Sequence, residues 1–96
     1  MQIQLTGQNI EITEAIRNYT EKKLKRIVSL VEKINHIHLT FRVEKLNQIA
    51  EINISLPGTQ IHAEAGCENI YESIDKLVDK VRRQLKKHKE KTTEHG

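Results

Sequence analysis

Residues 36–67 read HIHLTFRVEKLNQIAEINISLPGTQIHAEAGC, and the alternation within this stretch decides the fold. Ile37, Leu39, Phe41 and Val43 alternate with His36, His38, Thr40 and Arg42. Ala50, Ile52, Ile54 and Leu56 alternate with Glu51, Asn53 and Ser55, and Ile61, Ala63, Ala65 and Cys67 alternate with His62 and Glu64. Successive side chains of a strand point to opposite faces, so each segment sorts its apolar residues to one side and predicts a half-buried strand. Residues 45–48 and the Pro57-Gly58 pair are short enough to be hairpin connections, with Gly58 supplying the positive φ that a type II turn needs after proline. Together these segments predict an antiparallel meander with one wet face.

The flanks complete the pattern. Upstream, Ile3 and Leu5 alternate with Gln2, Gln4 and Thr6, which predicts a first strand, and residues 7–9 are turn formers. Thr13 can then cap a helix whose first turn holds Glu14. Ile16, Thr20, Leu24, Ile27 and Val31 recur at three- and four-residue spacing, so one mostly apolar stripe faces inward and the helix is expected to end near residues 31–33. Downstream, Asn69 followed three residues later by Glu72 is a variant of the capping box. Ile70, Ile74, Leu77, Val78, Val81 and Leu85 form the buried stripe of a last helix. Periodicity fades after Leu85 while basic residues continue to Lys91, and residues 92–96 are expected to form a flexible tail. The result is an α+β fold of order β-α-β-β-β-α, with two helices packed on one face of a four-stranded sheet. A chain of 96 residues buries a single core, so residues 1–91 are expected to form one domain.

Charge separates sharply along the chain. Its 16 Lys and Arg against 13 Asp and Glu give +3 at neutral pH. Residues 76–91 alone hold eight basic side chains against two acidic ones, whereas the remainder has eight against eleven. Concentrating like charge on one helix costs self-repulsion, and a polyanionic partner is the common reason to tolerate it. Lys76, Lys80, Arg83, Lys87 and Lys91 step by three and four residues along one face, with Arg82, Lys86 and Lys89 on the flank. On the first helix Lys22, Arg26 and Lys33 make a similar row. Lys25 lies further round, and Lys23 falls inside the apolar arc, where its stem can pack while its amine reaches water. Two basic helix surfaces on one side of a small domain suit a phosphate backbone better than either would alone.

Other function classes lack residues to carry them. No Gly-rich phosphate loop, nucleophile elbow or HExxH helix is present, so no enzyme is expected. The single cysteine, Cys67, can form no internal disulfide and is predicted to be a buried spectator thiol. His36, His38 and His62 fall on the polar side of strands but share that side with no cysteine, so no metal and no cofactor is expected. Aromatic content of 3% disfavours base stacking on a sheet and favours shape and phosphate contacts. No stretch approaches the ~20 apolar residues of a membrane span, and the polar alternation after Met1 is unlike a signal peptide, so the chain is expected in the cytoplasm without a membrane partner. A double-stranded-RNA-binding module and a protein-interaction module remain as alternatives at this point.

A set of short motifs extends almost end to end. Gly7-Gln8-Asn9-Ile10-Glu11-Ile12-Thr13-Glu14-Ala15-Ile16-Arg17, Val43-Glu44-Lys45, and Ile70-Tyr71-Glu72-Ser73-Ile74-Asp75 followed by Asp79-Lys80, Arg83-Gln84-Leu85 and Lys87-His88-Lys89 resemble, in order and spacing, the short ribosome hibernation-promoting factors related to protein Y. The resemblance implies a monomer seated in the channel of the small ribosomal subunit where messenger RNA and tRNA anticodon ends lie. It also implies inhibited translation and, together with ribosome modulation factor, inactive paired ribosomes in stationary phase. By position, contacts to 16S ribosomal RNA fall to Lys22, Lys23 and Arg26 on the first helix and to Lys80, Arg83, Lys86, Lys87 and Lys89 on the last. Arg82 joins them on charge and place, since the family pattern fixes no basic residue there.

Overall fold

The computed structural model describes residues 3–31 and 33–94, with side chains through Lys89. The elements are β1 (Ile3–Gln8), α1 (Glu14–Val28), β2 (His36–Glu44), β3 (Asn47–Leu56), β4 (Thr59–Cys67) and α2 (Ile70–Glu94). The sheet order is β1-β2-β3-β4, with β1 parallel to β2 and the other pairs antiparallel. A parallel pair needs a crossover of a dozen or more residues, and α1 provides it.

Register follows the hydrophobic pattern. Leu39 stands opposite Leu5 and Ile52, and Ile52 opposite Ala63, so one face of all four strands is apolar. Both helices cover that face. Leu24 and Ile27 of α1 and Ile74, Leu77, Val81 and Leu85 of α2 join Ile37, Leu39, Phe41, Ile52 and Ile54 in one core. Each such side chain contributes roughly 1.5–3 kcal/mol when fully buried, so burial here outweighs every exposed ion pair described below. The two buried polar residues are satisfied: Thr20 Oγ1 donates to the Ile16 carbonyl at 2.8 Å, and Ser73 Oγ donates to the Gln48 carbonyl at 2.5 Å. The second bond ties the start of α2 to the start of β3.

Thr13 and Asn69 cap the two helices as the sequence suggests, although among the described residues Glu72 makes no return bond to close a capping box. Thr13 Oγ1 accepts from the Ile16 amide at 3.2 Å, and Asn69 Oδ1 from the Tyr71 amide at 2.8 Å. Gly58 has φ 77°, as its turn demands. At Gly7 a Cβ would lie 2.2 Å from the Ile10 carbonyl oxygen, so the turn out of β1 closes only around glycine.

Several expectations are corrected at element ends. Val43 is 45% exposed, because β2 runs past the cover of the helices before it turns. The turn itself is only Lys45 and Leu46, with Lys45 at φ 54°, and β3 begins at Asn47. α1 stops at Val28, where the Ser29 amide bonds the Ile27 carbonyl, and Val31 packs on the core from outside the helix. Cys67 is half-buried rather than enclosed, since it ends β4. Ile49 is buried although it alternates to the polar face. α2 continues to Glu94, so residues 92–94 extend the helix where a tail was expected; residues 95–96 lie outside those described.

Candidate nucleic-acid interface

α2 has 25 residues, which at ~1.5 Å per residue spans roughly 37 Å and accounts for most of the 45 Å long axis of the molecule. Among the described residues its last buried side chain is Leu85. Lys86, Lys87 and Lys89 therefore ride on helical turns beyond the core cluster.

α1 lies against α2 and brings a second set of cations to it. Lys23, Arg26 and Arg82 line an open groove of about 160 Å³ between the two helices, with Ile27 and Val78 as apolar lining and Asp75 and Asp79 beside them. Lys23 is half-buried as its place in the apolar arc predicts, and its amine lies 3.5 Å from Asp75 and 5.4 Å from the centre of the Tyr19 ring. Tyr19 meets Tyr71 edge-on at 5.1 Å and donates from its hydroxyl to Asp75 Oδ1 at 2.6 Å. That hydrogen bond to a carboxylate is the chief reason the Tyr19 phenol is held above its ordinary range.

The nine candidate cations are not equivalent. Lys80 donates to the Glu64 carbonyl at 2.7 Å, and its neighbour Gln84 to the His62 carbonyl at 3.0 Å, so this side of α2 is fastened to β4. Arg82 and Arg83 both pair with Asp79. Those two guanidinium groups, Arg82 first, hold the Asp79 carboxyl below its ordinary range. For the side chains of Lys22, Arg26, Lys86 and Lys87 no intramolecular partner is found among the described residues. Sequence reasoning placed the cations but passed over Asp75, Asp79 and Tyr19; the four-residue step from Asp79 to Arg83 was the available signal. Lys33 is exposed beyond the end of α1, so it does not continue the helical row of Lys22 and Arg26.

The outer face of the sheet behaves differently. Arg42 donates to Glu44 at 3.1 Å and to Glu51 and Glu64 at 3.0 Å each, and His62 Nε2 lies 2.6 Å from Glu51. The bond from His62 is the largest of the effects that hold the Glu51 carboxyl below its ordinary range. Glu51, His62 and Glu64 bring ligand atoms within 4.8 Å of one another, but Arg42 already bridges both carboxylates. His36 and His38 are on β2, two strands away from His62, and His38 bonds Thr6 at 2.9 Å, so the three histidines do not converge. This face is a self-satisfied ionic lattice, and the open positive surface lies with the helices.

A model of the Sigma 54 modulation protein / S30EA ribosomal protein family matches residues 3–93. The chain belongs to that family. Among curated S30EA-family relatives, the ribosome hibernation promoting factor of Klebsiella oxytoca is 41% identical over 95 residues, covering 99% of this chain and all of the relative. A ribosomal subunit interface protein from Coxiella burnetii superposes with a TM-score of 0.85 at 41% identity, covering 93% of this chain and 98% of that one. The N-terminal domain of Thermus thermophilus protein Y gives 0.82 at 34% identity, covering 92% and 99%. The two solved structures carry the same architecture, and the family is ribosome-associated, not an enzyme family. Among the described residues no helix is long and apolar enough to cross a membrane.

Proposed function

We propose that this protein is a ribosome hibernation factor that binds 16S ribosomal RNA of the small subunit in the messenger and tRNA channel and inhibits translation by occupying it. The observation that carries the reading is the groove in which Lys23 and Arg26 of α1 face Arg82 of α2, continued past the sheet by Lys86, Lys87 and Lys89. Lys22, Lys80 and Arg83 complete the contact set. Half or more of protein contacts to a nucleic-acid duplex go to phosphate and sugar, which fixes position without reading sequence, and a basic surface with few aromatics is suited to that mode. The factor acts as a cytoplasmic monomer and, with ribosome modulation factor, promotes inactive paired ribosomes in stationary phase.

Occupation is a statement about mutually exclusive binding, so a competitor should displace the protein by mass action. Increasing initiator tRNA on isolated small subunits is expected to release bound protein, and sucrose gradients with added protein and ribosome modulation factor are expected to gain a paired-ribosome peak. Full simultaneous occupancy by tRNA and protein would refute the channel site. Preference for an isolated RNA duplex over whole subunits would favour a generic duplex-binding module instead.

A further inference from the structure

Asp79 is an anion set among cations meant for another anion. Both of its oxygens are in use: Oδ1 accepts from Arg82, and Oδ2 from Arg83 at 3.0 Å. Guanidinium donors converging on the oxygens of one anionic group is also the way arginines receive phosphate. The pairing keeps the carboxyl ionised well into acid, so it is a permanent occupant at neutral pH. One turn earlier Asp75 engages Lys23 and Tyr19 and so braces α1 against α2, whereas both bonds of Asp79 stay on its own helix and brace nothing across the domain.

We propose that Asp79 is a specificity-determining residue, an internal phosphate surrogate that occupies Arg82 and Arg83 and yields them only to a rigid array of RNA phosphates. The inference rests on the RNA-binding reading given above. A flexible single strand that offers phosphates one at a time must displace the carboxylate and also be ordered, so even the modest strength of exposed ion pairs offsets part of what that exchange returns. Folded ribosomal RNA presents its phosphates already fixed. There Lys22, Arg26, Lys86 and Lys87, for which no carboxylate partner is found among the described residues, bind at the same moment and hold the array in place for the exchange. Discrimination between partners is a difference of affinities, and an element that weakens the wrong complex more than the right one widens it.

The test compares the full chain with Asp79→Asn, which keeps the shape and removes the charge, and with Asp79→Glu, which restores it. Each is titrated with isolated small ribosomal subunits and with poly(U) across a salt series. Asp79→Asn is expected to tighten poly(U) binding by about fivefold, which corresponds to about 0.5 kcal/mol for each of the two exposed pairs it removes. The poly(U) salt slope is expected to steepen by about 1.4, for two more phosphates neutralised on a single strand. Binding to small subunits should change less, so the ratio of the two affinities contracts, and Asp79→Glu should return it toward the wild-type ratio. Equal changes on both probes, or none on poly(U), would overturn the proposal, and a lowered melting temperature with an unchanged ratio would make Asp79 a helix stabiliser only. If the wild-type chain fails to bind small subunits, the hibernation reading falls, while the poly(U) arm still decides whether Asp79 withholds its arginines.

Discussion

The two halves of α2 share a helix and divide its work. Along residues 70–85, Ile74, Leu77, Val81 and Leu85 are fully buried against the sheet and α1. Among the described side chains from residue 86 to residue 89 none belongs to the core cluster, and Lys86, Lys87 and Lys89 crowd within four positions. A separate helix made only of the distal turns would be unstable, since nucleation fixes several residues for one hydrogen bond and like charges at this spacing repel. Extending a helix that packing already holds costs far less. The packed half thus acts as the nucleus that lets the charged half stay helical without a core of its own.

The sharpest way to break this division is to weaken the anchor. Leu85→Ala removes a fully buried side chain of α2 and is expected to cost about 2–5 kcal/mol of stability, lowering the melting temperature by roughly 4–8 °C for each kcal/mol in a domain of this size. Leu46 is 84% exposed at the β2–β3 turn, and Leu46→Ala should stay within about 0.5 kcal/mol. Urea melts of the two variants side by side check the contrast. Equal effects would mean that Leu85 is not an anchor.

The reverse experiment strips the distal half. Replacing Lys86 and Lys87 together with alanine is expected to change stability by no more than about 0.5 kcal/mol at each position. The slope of log K against log salt for small-subunit binding should flatten by roughly 1.4–1.8. Cosedimentation across a salt series reads the slope, and circular dichroism reads the fold. An unaltered slope would remove these two lysines from the interface.

What could be read from the chain alone follows the same line. Period two in residues 36–67 and the stripe from Ile70 to Leu85 report burial directly, so the sheet, its covered face and both helices were legible. Val43 and Cys67 misled because alternation continues to a strand's end whether or not a helix lies over it. Val31 misled because a residue can pack on the core after the helix has stopped, and Ser29 gives little warning of that stop. The cation rows on α2 were legible because helical period alone fixes them. The bond from Lys80 to the Glu64 carbonyl was not, since it depends on where β4 falls beside α2. Nor was the placing of Lys23, Arg26 and Arg82 on one groove, which needs the packing of α1 on α2.

The smallest expected effect lies with the Asp79 pairs, ahead of the change from anchor to cation ridge. Its carboxyl is held below the ordinary range by Arg82 and then Arg83, so the folded state binds its proton less readily than the unfolded chain does. A depressed carboxylate stabilises the fold fully above the unfolded value of about 3.9. That contribution is lost as pH falls through the lower folded value, because the unfolded chain then takes up the proton first. Both arginines stay charged throughout, so the loss belongs to the carboxylate alone. Wild type and Asp79→Asn should therefore differ slightly in melting temperature near pH 7 and converge as pH falls through the depressed folded value, where the wild-type carboxyl also becomes neutral. Both pairs are exposed, so the difference at neutral pH should shrink further in 1 M salt, where the screening length is only about 3 Å. Glu51, also depressed, titrates on the sheet's outer face in both proteins and cancels in the comparison. A gap that does not narrow as pH falls below the unfolded value would show that the asparagine alters helix propensity or packing rather than charge pairing.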